Sequence, residues 1–194
     1  MVDPLRWAPV KRDVLDALAD DFLHNYSRGR TLLAIDGGAG TKQFADALAE
    51  RLGRGGHAVF RASIADFHRP RHLRTDDYRD GYDYALFRRV LVEPFKLGGS
   101  TGFQLAGFDA ARDVPTESDW KTGPQDATLI VDGAYLNRQE LRGLWNFSTW
   151  LEAAPEGGVT LDESYLADNP RSAATAIVDD ADPDHPRRIF ADSC

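Results

Sequence analysis

The chain has 194 residues, enough for one domain with a sizeable core, and its 42% hydrophobic and 28% charged residues are ordinary for a globular protein. The formal net charge of −8 argues against a general affinity for nucleic acid or anionic membranes, although a local patch can still bind a phosphate group. No signal peptide or membrane-spanning run stands out, so we expect a cytoplasmic location. The single cysteine, Cys194, excludes an intramolecular disulfide and a four-cysteine metal site.

The first part of the chain predicts a helix, a strand and a second helix. In residues 10–25, apolar side chains recur every three to four positions, as on the buried face of an amphipathic helix. TLLAID, residues 31–36, is a short apolar run closed by Asp-Gly, which is typical of a strand buried on both faces of a parallel sheet. The next helix places Phe44 and Leu48 on one face and ends at Gly53.

Strands and helices continue to alternate along the rest of the chain. The predicted strands are HAVFRAS (57–63), GFQLAGF (102–108), ATLIVDG (127–133), FSTWLE (147–152) and, as the last strand, AATAIVD (173–179). Helices are predicted around residues 84–95 and within 137–145. This alternation predicts a three-layer α/β fold with a mainly parallel sheet.

The stretch AIDGGAGTKQF, residues 34–44, joins the first predicted strand to the second helix through a glycine-rich turn. A phosphate-binding P-loop has the same order of strand, turn and helix, but the motif G-x-x-x-x-G-K-[ST] is absent. The helix N-terminus would still carry a partial positive charge that favours an anion. The alternative interpretation is a tight turn that only links strand to helix.

Several segments, in chain order, resemble the uridine kinase and phosphoribulokinase family of P-loop kinases over nearly the whole chain. They are AIDGGAG with FADALAERL, RASIADFHRPR, GYDYALFRRVLVEPF, LIVDGAYL with ELRGLW, and IVDDADPDHPRRI. The resemblance implies a P-loop NTPase fold of the nucleoside and nucleotide kinase type in a single domain, residues 1–194. It also implies an ATP-dependent phosphotransferase that uses ATP and Mg²⁺ and binds a nucleotide or a phosphate-containing small molecule; a homodimer remains open. The ligand cleft is expected where the loops after Asp36, Ser63 and Asp132 meet.

The resemblance assigns nucleotide and phosphate binding to the residues of the glycine-rich turn and the start of the helix. These are Gly37, Gly38, Ala39, Gly40, Thr41, Lys42 and Gln43. The turn is shorter than the family motif allows, and the lysine and hydroxyl residues stand in exchanged order. One residue of helix rotates a side chain by about 100°, so Lys42, the candidate for the β- and γ-phosphates, would point to where the metal belongs. Thr41 and Asp132 are the candidates for Mg²⁺, and Asp132 is alternatively a turn former.

Two further differences concern catalysis. When the chain is aligned on Phe67, the family's general base falls on Ala65, so the adjacent Asp66 is the candidate base. Neighbouring side chains of an extended segment point to opposite faces, and Asp66 is alternatively a solvated loop carboxylate or a helix cap. The Arg-bearing lid of the family is shortened here to about residues 153–164, which contain no arginine.

The resemblance also implies residues that bind the substrate. They are His68, Arg69, Asp83, Phe108 and Asp109. Asp83 is alternatively the N-cap of the next helix. The arginines at positions 61, 69, 71 and 74 either hold a substrate phosphate or pair with the acidic residues that follow them. A metal site made by the histidines at positions 68 and 72 is not expected, because a proline lies between them.

The sequence leaves three functions open. The first is a uridine kinase-like protein that binds a nucleotide or phosphate but has impaired or lost phosphoryl transfer. The shortened turn, the displaced general base and the shortened lid all suggest it. The second is an active ATP-dependent kinase for a nucleoside or similar small hydroxyl compound, with Lys42 and Asp66 in rearranged roles. The third is a dimerising or regulatory module without catalysis.

Overall fold

The computed structural model describes residues 10–153 and 158–190. Cys194 and part of the predicted lid region lie outside these described residues. None of the helices within the described ranges has the length and the apolar character that a membrane span requires.

A six-stranded sheet forms the middle of the structure, and four short strands lie outside it. The described residues form, in chain order, the strands β1 (Arg30–Asp36), β2 (Ala58–Ser63), β3 (Phe103–Gln104), β4 (Phe108–Asp109), β5 (Val114–Pro115), β6 (Trp120–Lys121), β7 (Ala127–Gly133), β8 (Phe147–Ala153), β9 (Ala176–Asp180) and β10 (Arg187–Ile189). The order of strands in the central sheet is β10-β9-β8-β1-β7-β2, and within it only β10 runs antiparallel to its neighbour. The ends of β1 and β7 lie side by side, since Asp36 pairs with Gly133.

Helices cover the sheet on both faces. They are α1 (Lys11–Tyr26), α2 (Thr41–Gly53), α3 (Tyr84–Phe87), α4 (Glu93–Leu97), α5 (Gln139–Arg142), α6 (Glu163–Ala167) and α7 (Pro170–Ala173), and a π-helical turn, Arg88–Val92, joins α3 to α4. Because side chains alternate along a strand, Leu33 and Ile35 of β1 pack in the core formed with α1 and α2. Leu32 and Ala34 pack in the second core, on the side of α3 and α4. The result is a three-layer α/β architecture with a mainly parallel sheet, which confirms the predicted fold class.

Two parts of the strand prediction were wrong. GFQLAGF is not a strand of the central sheet: β3 pairs only with β6, and β4 only with β5, as two-residue antiparallel ladders. AATAIVD is not the last strand either, because β10 adds to the edge of β9. β10 has three residues and no alternating apolar pattern, so the periodicity that identifies longer strands could not reveal it.

Candidate functional site

A cleft of about 640 Å³ lies at the carboxyl ends of the central strands. The loops that follow Asp36, Ser63 and Asp132 all contribute to it, as expected for the carboxyl ends of a parallel sheet. Residues 74–78, 81–82 and 159–163 also line this main cleft.

The glycine-rich turn connects the end of β1 to the start of α2. Gly40 has φ 70°, in the left-handed region that glycine adopts without strain, and its carbonyl accepts the Phe44 N–H at 3.0 Å. The backbone N–H groups of Ala39 and Gly40, and those of the first turn of α2 through Gln43, have no acceptor among the described residues. The turn therefore presents consecutive unpaired donors at the N-terminus of a 13-residue helix.

Residues 158–161, which we call the strap, lie directly against this turn. The Val159 N–H donates to the Gly38 carbonyl at 2.6 Å. A Cβ atom on Gly158 would lie 2.5 Å from the Ala39 Cβ, so only glycine fits at this approach. The strap separates the main cleft from a second cavity of about 630 Å³, which Ala39 and Trp150 help to line.

The first two residues of α2 face different environments. Thr41 is 9% exposed and lines the main cleft. Lys42 is exposed and does not contribute to the wall of either cavity. Its charge acts instead on Asp66, whose pKa it lowers against the larger effect of burial. Gln43 is exposed as well.

Asp66 lies in a short 3₁₀ turn, Ile64–Phe67, immediately after β2. Ala65 lines the main cleft, whereas Asp66 does not. Burial, reinforced by the nearby Asp132 carboxylate, raises the pKa of Asp66 above its usual range. A carboxylate with a raised pKa is a better proton acceptor than an ordinary one.

Asp132, the other Mg²⁺ candidate, already has a cationic partner. Arg61 Nη2 lies 2.7 Å from Asp132 Oδ1, and Arg61 Nε lies 3.1 Å from Asp46 Oδ1. The Asp132 side chain is 4% exposed. Within the described ranges, no three His, Cys, Asp or Glu side chains come together as metal ligands. A Mg²⁺ ion at Asp132 Oδ1 would therefore have to displace a guanidinium.

Of the five substrate candidates, only His68 lines the main cleft. Burial lowers the pKa of His68, and its ring lies 4.6 Å from the ring of Tyr82. Phe108 packs behind it, with 6.3 Å between the ring centroids. Asp83 caps α3 by accepting the Leu86 N–H at 2.8 Å, which is the alternative that the sequence left open.

Asp109 and the arginines of this region make local contacts. Asp109 accepts the backbone N–H groups of the two residues after Ala110, at 3.0 and 3.1 Å. Arg69 pairs with Asp80 at 3.5 Å, and Asp113 holds the arginines at positions 71 and 74 at 4.0 and 3.7 Å. Arg69 thus pairs within the acidic segment that follows the basic stretch, whereas the partner of the other two arginines lies about 40 residues farther along the chain.

A buried cluster that the sequence did not reveal holds the end of β1 to α6. Asp36 has no exposed surface; its Oδ2 accepts the Tyr165 hydroxyl and the Asn137 N–H, the latter at 2.8 Å. Burial raises the pKa of Asp36 to about 6. Tyr165 contacts the rings of Tyr78 and Tyr135, with centroids 5.4 and 5.0 Å away. These residues are far apart in the sequence, so no local spacing indicates that they meet.

Comparisons with known proteins agree with this architecture. No family model and no curated protein matches the sequence. Among solved structures, a possible uridine kinase from Bacillus stearothermophilus aligns with a TM-score of 0.71 at 21% identity, over 86% of this chain and 97% of that one. A candidate fructose transport system kinase from Silicibacter sp. TM1040 aligns with a TM-score of 0.59 at 25% identity, over 72% of this chain and 75% of that one. The chain therefore has the three-layer α/β fold of the P-loop kinases, and its resemblance to the uridine kinase-like group is confirmed at the level of the fold.

Proposed function

We propose that this protein binds a phosphate group, free or as part of a nucleotide, at the N-terminus of α2, and that it has little or no phosphoryl transfer activity. The observation that carries the proposal is the row of N–H groups from Ala39 to Gln43, which have no acceptor among the described residues. Such a row, at the positive end of a helix dipole, is a ready anion site. The kinase-like fold supports a nucleotide or phosphate as the ligand.

The same geometry argues against efficient transfer. A phosphoryl group in transit needs cations on its oxygens, supplied by a lysine and by Mg²⁺. Lys42 lies outside the walls of both cavities, and Asp132 is already paired with Arg61. The strap contributes no basic side chain. Anion binding at the backbone therefore survives without the charges that would stabilise a transition state.

The second cavity favours a nucleotide over free phosphate. It begins at the glycine-rich turn and is walled by apolar side chains that include Trp150, Leu151, Leu166 and Pro170. A nucleoside attached to a phosphate at the turn would find there an apolar surface of suitable size. We therefore include ATP among the proposed ligands, without Mg²⁺.

Calorimetric titration with ATP, with and without Mg²⁺, tests this proposal. We expect ATP and pyrophosphate to bind with affinities that differ by less than about threefold between the two conditions, and adenosine to bind much more weakly. The Lys42→Ala variant should retain ATP binding, because Lys42 lies outside the cavities. A lack of binding by both ATP and pyrophosphate would refute the proposal.

An active ATP-dependent kinase for a nucleoside or similar small hydroxyl compound is the second candidate function. The raised pKa of Asp66 favours it, because that group would accept a proton more readily than an ordinary carboxylate. Mg²⁺-dependent ATP turnover that disappears in both Lys42→Ala and Asp66→Asn would establish this function in place of the first.

A further inference from the structure

The strap and the glycine-rich turn fit so closely that no other group can lie between them. A Cβ atom on Gly38 would lie 2.6 Å from the Val159 carbonyl oxygen, and one on Gly158 would lie 2.5 Å from the Gly38 carbonyl oxygen. The contact therefore leaves no room for a methyl group on either segment, and a phosphate group is larger. A phosphate that binds against this side of the turn has to displace the strap.

Each cavity reaches only part of the row of N–H donors. Thr41 lines the main cleft but not the second cavity, whereas Ala39 lines the second cavity but not the main cleft. Both N–H groups belong to the row that has no acceptor among the described residues. Residues 159–161 line both cavities, as does Gly38, against which the strap lies. An anion that uses the donors from Ala39 to Thr41 together therefore competes with the strap for the same space.

The chemistry of the strap also opposes an anion. Residues 158–161 carry no basic side chain, and the strap places the Val159 carbonyl oxygen against Gly38. A carbonyl oxygen carries negative partial charge and can only accept hydrogen bonds. A segment that closes over a bound phosphate to stabilise it brings cations or N–H donors to the phosphate. The closed strap instead brings a hydrogen-bond acceptor to the donor row.

The strap is held firmly at one end and weakly at the other. Its first three residues, 158–160, are exposed. The Val159 N–H bond to Gly38 is the one hydrogen bond that the strap makes with the described part of the chain. At the other end, Leu161 packs against the core, and the buried cluster fixes the helix α6 that follows. Opening the strap about Leu161 therefore breaks one backbone hydrogen bond and little apolar packing.

From these contacts we propose that the strap is an autoinhibitory element: it covers the turn in the unliganded protein and is displaced when a phosphate group binds. The inference rests on the proposed function, since it concerns the regulation of the same anion site. The affinity for phosphate is then reduced by the fraction of molecules in which the strap is open. A change that loosens the strap should tighten phosphate binding, whereas loosening a lid that helps to hold the ligand would weaken it.

A matched pair of substitutions at Val159 tests the sign of this effect. Proline lacks the N–H that donates to Gly38, whereas alanine keeps it. In calorimetric titrations with pyrophosphate, Val159→Pro should bind about three- to tenfold more tightly than the wild type, the range that the loss of one hydrogen bond allows. Val159→Ala is the control and should stay within about twofold of the wild type. Weaker binding by Val159→Pro, or tightening of less than about twofold, would overturn the inference.

Gly158→Ala opens the strap by a different route. Its new Cβ atom would lie 2.5 Å from the Gly38 carbonyl oxygen, so the strap has to move away from the turn. This variant should also bind pyrophosphate at least about threefold more tightly than the wild type. Gly55→Ala is the matched control, because a Cβ atom there meets nothing within 4 Å, and it should change nothing. Weaker binding by Gly158→Ala would show that the strap holds the anion, which contradicts autoinhibition.

Amide hydrogen exchange tests the inference on the unmodified protein. If phosphate displaces the strap, the Val159 amide loses its bond to Gly38, so it should exchange at least about tenfold faster with saturating pyrophosphate than without it. The Leu166 amide, which donates to the Asp162 carbonyl at 3.1 Å in α6, is the internal reference and should keep its rate. Unchanged or slower exchange at Val159 while pyrophosphate is bound would overturn the inference.

The same titrations separate this inference from the proposed function. Pyrophosphate binding with equal affinity to the wild type, Val159→Pro and Gly158→Ala overturns autoinhibition and leaves the anion site standing. A lack of pyrophosphate binding by all three proteins refutes the anion site itself, and the inference falls with it.

Discussion

Tyr165→Ala is expected to lower the free energy of unfolding by about 3–5 kcal/mol. Tyr165 is fully buried, so truncating it removes the aromatic contacts with Tyr78 and Tyr135 and leaves a cavity between α6 and the sheet. It also removes the hydroxyl that donates to Asp36, which retains the Asn137 N–H as its remaining donor to Oδ2. Urea denaturation of the variant and the wild type measures the loss.

Tyr165→Phe separates the two contributions. The ring keeps its packing, and only the hydrogen bond to the buried carboxyl is lost, so we expect a smaller loss of about 1–3 kcal/mol. If both variants stayed within about 0.5 kcal/mol of the wild type, the buried cluster would not be what fixes α6, and the strap before it, to the end of β1.

The second large effect is expected at Arg61. Arg61→Met should cost about 3 kcal/mol of stability, because it leaves the Asp132 carboxylate buried without its counter-charge. Asp46→Asn removes the other carboxylate that contacts Arg61. That side chain is 57% exposed and solvated, so this matched control should change stability by less than about 0.5 kcal/mol.

A double-mutant cycle checks the cause. Combining Arg61→Met with Asp132→Asn should recover more than about 1 kcal/mol relative to the sum of the single changes, because no unpaired charge remains. Strictly additive losses would show that Arg61 stabilises the sheet through its contacts with backbone carbonyls, such as that of Ile130 at 3.1 Å. The argument that Asp132 is unavailable to Mg²⁺ would then lose its basis.

The parts of the fold that the sequence predicted are those with a strong local pattern. ATLIVDG forms β7 with the predicted bounds, and TLLAID forms β1 apart from one residue at its start. Both are continuous apolar runs, as strands buried on both faces must be. β10 and the four short strands β3, β4, β5 and β6 lack such a pattern, and their pairing depends on tertiary contacts.

The site was predictable only where it follows from the topology. The position of the cleft follows from the ends of β1, β2 and β7, which the sequence marks by Asp36, Ser63 and Asp132. Local capping by Asp83 and the pairing of Arg69 with Asp80 were among the alternatives that the residues suggested. The meeting of Tyr165 with Asp36 joins residues 129 positions apart, and no periodicity carries that information.

The role of the glycine-rich turn can be measured directly by NMR, with pyrophosphate added to protein labelled with ¹⁵N. If the anion is held by the backbone donors, the amide signals of Ala39, Gly40 and Thr41 should shift together and saturate with one dissociation constant, with or without Mg²⁺. Sodium chloride at matched ionic strength should not reproduce these shifts. Signals that stay in place at the turn while pyrophosphate binds elsewhere, or does not bind, would contradict an anion site at the N-terminus of α2.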